Sequence, residues 1–198
     1  KGKGTTTSIL HALLATDAAR VFSGGNIGRP PIAFLDELRS DDRVVLELSS
    51  FQLQDLDLSP HIALVLSITE DHLDYHTDRA EYIAAKRPIC SHQKATDILI
   101  VNQDCHTARS FAAHSPAAIW HYSAAAPVAQ GAWVDNNKLW ARRPSEEATV
   151  ICPTTDIPLR GKHNDGNAAA AVAAAMAFDA PTAAFAAAFA AVSAAAFF

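Results

Sequence analysis

The sequence predicts an α/β fold: a mostly parallel sheet flanked by helices, with a small antiparallel patch in its last third. Three observations predict it. Apolar runs at 43–48, 62–68, 98–101 and 118–122 are short and almost unbroken, as in strands covered on both faces. Segments with helical spacing at 5–19, 30–38, 78–90 and 104–113 alternate with them, which is the βα rhythm of parallel sheets. That rhythm then gives way to short alternating pieces over 131–159, around the turn formers Asp135-Asn136-Asn137, and these predict a hairpin.

Taken in order, Ile9, Leu10, Leu13 and Leu14 make the apolar stripe of the first helix. Val21-Phe22-Ser23 reads as a short strand running into Gly24-Gly25-Asn26. Pro30-Pro31 opens the second helix, because proline is tolerated in a first turn. The strand at 43–48 carries Glu47 next to its last residue, and the one at 62–68 ends just before Thr69-Glu70-Asp71-His72. The helix at 78–90 carries Lys86 in its middle. After the hairpin, Gly161 leads into a helix beginning near His163 or Asn164, and a last helix follows Pro181 with Phe185, Phe189 and Val192 on one face. Between 168 and 198, 19 of 31 residues are alanine, which favours helix but offers little packing specificity.

Bulk properties bound the function. A chain of 198 residues with 49% hydrophobic content can bury one substantial core. A net charge of −5 leaves no basic surplus for a nonspecific nucleic-acid binder. Cys90, Cys105 and Cys152 lack metal or disulfide spacing and fit a reduced, cytosolic setting. No stretch reads as a membrane span, since Asp179-Ala180-Pro181 divides the alanine-rich segment. The first core strand is expected ahead of Lys1, so the chain reads as a fragment.

The chemistry concentrates at the ends of the apolar runs. Gly2-Lys3-Gly4-Thr5-Thr6 has the makeup of the end of a phosphate loop: glycines that free backbone N–H groups, a lysine for phosphates, and Thr5 as a hydroxyl for Mg²⁺. An ordinary glycine-rich helix cap has the same makeup. Glu47, closing an apolar strand, suits a magnesium ligand or a salt-bridged carboxylate. Ser49 and Ser50 suit a helix cap or phosphate contacts. His72, with Glu70, Asp71, Asp74 and His76 around it, suits a divalent-ion ligand, but the spacing is not that of a tetrahedral zinc site. Lys86 on its own reads as a surface lysine lying along its helix. Asn164 and Asn167, three apart, share a helix face and suit either base recognition or capping.

In combination these motifs resemble the Mur ligase family, the ATP-dependent amino-acid ligases of peptidoglycan synthesis. The resemblance runs from residue 1 to about 175. It rests on Gly2-Lys3-Gly4-Thr5-Thr6, Gly25-Asn26-Ile27-Gly28, Glu47-Leu48-Ser49-Ser50-Phe51-Gln52-Leu53, Thr69-Glu70-Asp71-His72-Leu73-Asp74, Ala84-Ala85-Lys86, and Gly161-Lys162-His163-Asn164 with Asn167. The run from Ser49 to Leu53 points to the branch that adds D-glutamate to UDP-N-acetylmuramoyl-L-alanine.

The resemblance implies a P-loop NTPase-like central ATP-binding domain over 1–178, with 179–198 leading towards a C-terminal domain. It implies an amide-bond-forming ligase using ATP and Mg²⁺. Lys3 would lie on the ATP phosphates with Gly2, Gly4, Thr5 and Thr6, and Asn167 near the adenine. Thr5, Glu47, His72 and Lys86, the last as a carbamate, would hold metal. Asn26, Ser49 and His72 would meet the muramoyl substrate. The N-terminal and C-terminal domains of the family are not in this sequence, nor is the arginine usual near the linker. Two other readings stay open: a folylpolyglutamate synthase-like ligase, and a noncatalytic nucleotide-binding domain.

Overall fold

A computed structural model describes residues 2–17, 20–68, 78–159 and 161–191. Its main sheet has six strands in the order β3-β4-β5-β6-β7-β8. β3 (Ile62–Val65), β4 (Ile98–Asn102), β5 (Ala118–Ser123) and β6 (Gly131–Asp135) run parallel. β7 (Lys138–Arg142) and β8 (Thr149–Pro153) continue the sheet antiparallel. The predicted patch is therefore an extension of the parallel sheet. Its first turn is made by Asn136 and Asn137, both at positive φ (49° and 57°), as a two-residue hairpin requires.

The two covered faces of the sheet explain the unbroken apolar runs. Along β4, Ile98 and Ile100 pack with one hydrophobic cluster, while Leu99 and Val101 pack with the other. The first cluster lies under two long helices, α1 (Lys3–Leu14) and α5 (Lys162–Ala177). The second lies under α4 (His106–Arg109) and its flanking turns, with Phe111 fully buried. Alanine in α5 is not the weak packing residue the composition suggested. Ala168 through Ala175, with Val172 among them, are at most 1% exposed. Side chains this small let the backbone of α5 pack closely against both α1 and the sheet. α6 (Phe185–Ala191) adds Phe185 and Phe189 to the same cluster. Val192 lies outside the described residues.

β1 (Val21–Gly25) and β2 (Arg43–Glu47) form a separate parallel pair. Among the described residues no strand joins β2 to β3. α1 connects the pair to the body, with Leu10 and Val45 in the main cluster. The Arg43 guanidinium adds donations to the carbonyls of Leu14 and Phe178, each at 3.5 Å.

Several expected helices are shorter than their periodicity suggested. Over 30–38 the chain makes two 3₁₀ turns, Pro31–Ala33 and Leu35–Glu37, separated by Phe34 at φ −129°. Phe34 leaves the helical region to bury itself against Phe22, with ring centroids 5.3 Å apart. Over 78–90, α3 covers only Arg79–Ala84, capped by Asp78, whose carboxylate accepts from the Glu81 N–H at 2.9 Å. A 3₁₀ turn, Arg87–Ile89, follows, because Pro88 lacks the N–H that would continue the helix. Lys86 thus sits at a junction between two elements and not in mid-helix. α4 likewise passes into a 3₁₀ turn, Ser110–His114. No helix of the described residues is long and apolar enough to cross a membrane.

Candidate functional site

Glu47 and Gly25 are paired as the last residues of β2 and β1, at the carboxyl end where open α/β sheets bind ligands. Gly25 has φ +108°, and a Cβ there would overlap the Glu47 carbonyl oxygen. The glycine lets the chain fold over the end of β2, and the Asn26 N–H then donates to the Glu47 carbonyl at 2.7 Å. The side chains repeat the contact, with Asn26 Nδ2 donating to Glu47 Oε1 at 3.2 Å.

α1 begins on the other side of this carboxylate. Gly2 caps it at φ +87°, a left-handed conformation that glycine adopts freely. The first turn of α1 carries backbone N–H groups without helical partners and the positive end of the helix dipole. The Lys3 ammonium lies 3.8 Å from Glu47 Oε1. Glu47 Oε2 would be 3.4 Å from a Cβ on Gly4, so the carboxylate stands directly beside the loop. The Glu47 side chain is 3% exposed, yet among the described residues Oε2 has no hydrogen-bond partner. Leaving a buried carboxylate oxygen unpaired is costly unless a cation meets it. That orphaned oxygen fits a divalent ion, and Thr5, which follows Gly4 in the first turn of α1, is the residue the family resemblance assigns as its companion ligand. Among the described residues no group of three His, Cys, Asp or Glu could hold a metal by itself.

Lys86 opens onto the same cavity of about 650 Å³, which Lys3, Leu46, Glu47, Leu64 and Tyr82 also line. Its ammonium lies 4.3 Å over the Tyr82 ring, four residues earlier in the chain. Burial first, and then the Lys3 charge, pull the Lys86 pKa down to about 8. A substantial share of amine is therefore neutral near physiological pH.

The structure brings Gly2, Lys3, Gly4, Thr5, Thr6, Asn26, Glu47, Lys86 and Asn167 into one region. Asn167 lies in α5 but meets the loop: the Thr6 hydroxyl donates to its Oδ1 at 3.4 Å. Ser49 takes the capping reading. It caps α2 (Ser50–Leu53), its Oγ accepting the Gln52 N–H while Gln52 Oε1 receives the Ser49 N–H at 2.9 Å. His72, with its neighbours from Thr69 to His76, lies outside the described residues. Two residues of the site were missed from sequence. Ile27 lies against Gly4, its Cδ1 3.0 Å from where a Cβ would stand. Tyr82 under Lys86 was legible in principle, as an aromatic four positions before a lysine on a helical segment.

The Mur ligase middle domain matches residues 1–175. The chain belongs to the Mur ligase family. This Mur ligase chain is 43% identical over 176 residues to the UDP-N-acetylmuramoylalanine–D-glutamate ligase of Acidobacterium capsulatum, covering 88% of the chain and 38% of the relative. It is 37% identical over 170 residues to the enzyme of that name from Clostridium botulinum, covering 86% of the chain and 36% of the relative. The Mur ligase fold is also that of MurF from Acinetobacter baumannii, with a TM-score of 0.72 at 19% identity over 97% of this chain and 44% of that one. The chain thus spans little more than a third of the length of the relatives it matches.

Proposed function

We propose that the whole protein is an ATP-dependent ligase that joins D-glutamate to UDP-N-acetylmuramoyl-L-alanine through an acyl phosphate. The observation that carries this reading is the buried, unpartnered Glu47 carboxylate oxygen beside the Lys3 loop. The identity of 37–43% with relatives named for that reaction supports the choice of substrates.

In the first half-reaction the terminal carboxylate of the L-alanyl group attacks the γ-phosphorus of ATP. The new O–P bond forms as the bond to the β,γ-bridging oxygen breaks, and ADP leaves with the electron pair. Two anions meet in this step, so their repulsion must be offset. Lys3 and the free N–H groups at the start of α1 place positive charge on the phosphates. Glu47 and Thr5, with His72 and a Lys86 carbamate as the resemblance assigns them, would hold Mg²⁺, which supplies further charge neutralisation on the β- and γ-phosphates. In the second half-reaction the neutral amine of D-glutamate adds to the acyl carbon. The tetrahedral intermediate expels phosphate, and the amine gives up its extra proton as the amide forms.

Asn26 orients Glu47 by its 3.2 Å hydrogen bond, and the family resemblance assigns it to the muramoyl substrate. Lys86 acts after modification. Its ammonium first gives up a proton, the neutral amine adds to the carbon of carbon dioxide, and a second proton leaves as the N–C bond forms, so that a cation has become an anion near Lys3. A pKa near 8 is what permits this at neutral pH.

The test is release of labelled phosphate from γ-labelled ATP by the intact protein. Release is expected only when UDP-N-acetylmuramoyl-L-alanine and D-glutamate are both present. Release that ignores either substrate, or that follows a folate in place of the muramoyl nucleotide, contradicts the assignment.

A further inference from the structure

We propose that Asn167 is a positioning residue for the phosphate loop: its buried amide, braced by Asn164, clamps the first turn of α1 and fixes the Gly2–Thr6 backbone for phosphate oxygens. This rests on the reading of that loop as the ATP site. The three polar side chains involved are buried, at 2% exposure for Thr6, 7% for Asn164 and 8% for Asn167. Thr6 and Asn167 are 161 positions apart in sequence, so the contact joins two helices that nothing local would hold in register.

Both ends of the Asn167 amide are engaged inside the protein. Oδ1 receives the Thr6 hydroxyl at 3.4 Å, and Nδ2 donates to Asn164 Oδ1 at 2.9 Å. Asn164 is anchored in turn, its N–H donating to the Gly161 carbonyl at 2.9 Å. The same amide touches the loop a second time. A Cβ on Gly2 would overlap Asn167 Oδ1 and lie 3.0 Å from its Cγ. Gly2 and Thr6 are one helical turn apart, and the Thr6 N–H donates to the Gly2 carbonyl at 2.9 Å. The amide therefore rests on both ends of the turn whose N–H groups would face the phosphates.

Three polar side chains buried between helices are tolerated because they hydrogen-bond one another, and a satisfied network of this kind fixes the relative position of the helices. A phosphate loop gains from such specification. Its donors act on anionic oxygens without reorganising only when the backbone is already held in place.

The test is calorimetric titration of the intact protein with MgATP and with magnesium tripolyphosphate, which has no base or ribose. Asn167→Ala and Thr6→Val are each expected to weaken both ligands by the same factor, roughly three- to tenfold. The double variant is expected to be no weaker than the weaker single variant, because the two residues act through one contact. Thr6→Ser keeps the hydroxyl and is expected to bind within about twofold of the native protein. The KM for the muramoyl nucleotide is expected to stay unchanged. Thr6→Val is nearly isosteric and carries the test alone if Asn167→Ala unfolds the chain.

A loss confined to ATP, with tripolyphosphate unaffected, makes Asn167 a base contact and overturns the proposal. Additive losses, no loss, or a Thr6→Ser variant as weak as Thr6→Val also overturn it. Unchanged binding of both ligands in Lys3→Ala instead removes the nucleotide-site reading on which it rests.

Discussion

Glu47→Gln is expected to lower kcat of the intact enzyme by roughly a thousandfold, the scale on which single preorganised groups act at a developing charge. Folding stability is expected to stay level or rise. Glutamine keeps the shape of the side chain and still offers an oxygen to Asn26 Nδ2, now 3.2 Å from Glu47 Oε1. It also removes a negative charge that is 3% exposed and that, among the described residues, is paired with the Lys3 ammonium alone, at 3.8 Å. A buried carboxylate with one unpartnered oxygen is a burden on the folded chain unless a ligand cation meets it. Activity and stability should therefore move apart, in the manner of a residue kept for chemistry. Denaturant midpoints and steady-state kinetics on the same preparation check this. Unchanged turnover removes Glu47 from the mechanism, and a large fall in midpoint makes it a structural ion pair.

Lys86→Ala is expected to reduce turnover by roughly a hundredfold or more, as loss of a group that organises bound charge does. The loss should be partly reversed by added formate or acetate. A small carboxylate can enter the space the side chain leaves and replace the anion that the carbamate would supply. The sign of the pH dependence follows from the direction of the shift. The folded-state pKa is about 8, lowered from 10.5, so burying the ammonium destabilises the fold below pH 8. That penalty is relieved as pH rises from about 8 towards 10.5, where the unfolded chain still holds the proton and the folded one has released it. Carbamate formation draws on the neutral amine of the folded protein, so at a fixed concentration of dissolved carbon dioxide modification should increase as pH rises through about 8. Wild-type turnover in Lys86→Ala, or a loss that no carboxylate reverses, counts against the carbamate.

What the sequence revealed and what it hid follow from the same physics. The strand at 98–101 was legible because both its faces are covered, leaving no polar residue to break the run, and those at 43–48 and 118–122 because apolar residues dominate them despite Glu47 and His121. The helices over 30–38 and 78–90 were overread because periodicity does not register a missing donor. Pro88 ends the α-helical bonding after Ala84, and Phe34 turns away to meet Phe22. The alanine run of α5 concealed a central element, since burial there comes from close approach and not from side-chain bulk.

In the site, Lys3 and Glu47 could be picked out as a loop lysine and a strand-end carboxylate, but their 3.8 Å approach belongs to the tertiary fold. Lys86 carried no signal of its own; its importance came from the family resemblance, and its lowered pKa comes first from burial in the folded chain and then from Lys3, 83 positions away. Asn167 was read from its spacing to Asn164 as a base reader or a cap. Spacing could not show that its amide turns towards Thr6.

The most direct measurement is Mn²⁺ binding to the intact enzyme in the presence of ATP, read by electron paramagnetic resonance in native protein and Glu47→Gln. If the strand-end carboxylate and the Lys3 loop together hold the cation of the nucleotide, the native protein binds Mn²⁺ with ATP and the variant binds at least about tenfold more weakly. Equal affinity in the two proteins would contradict the account.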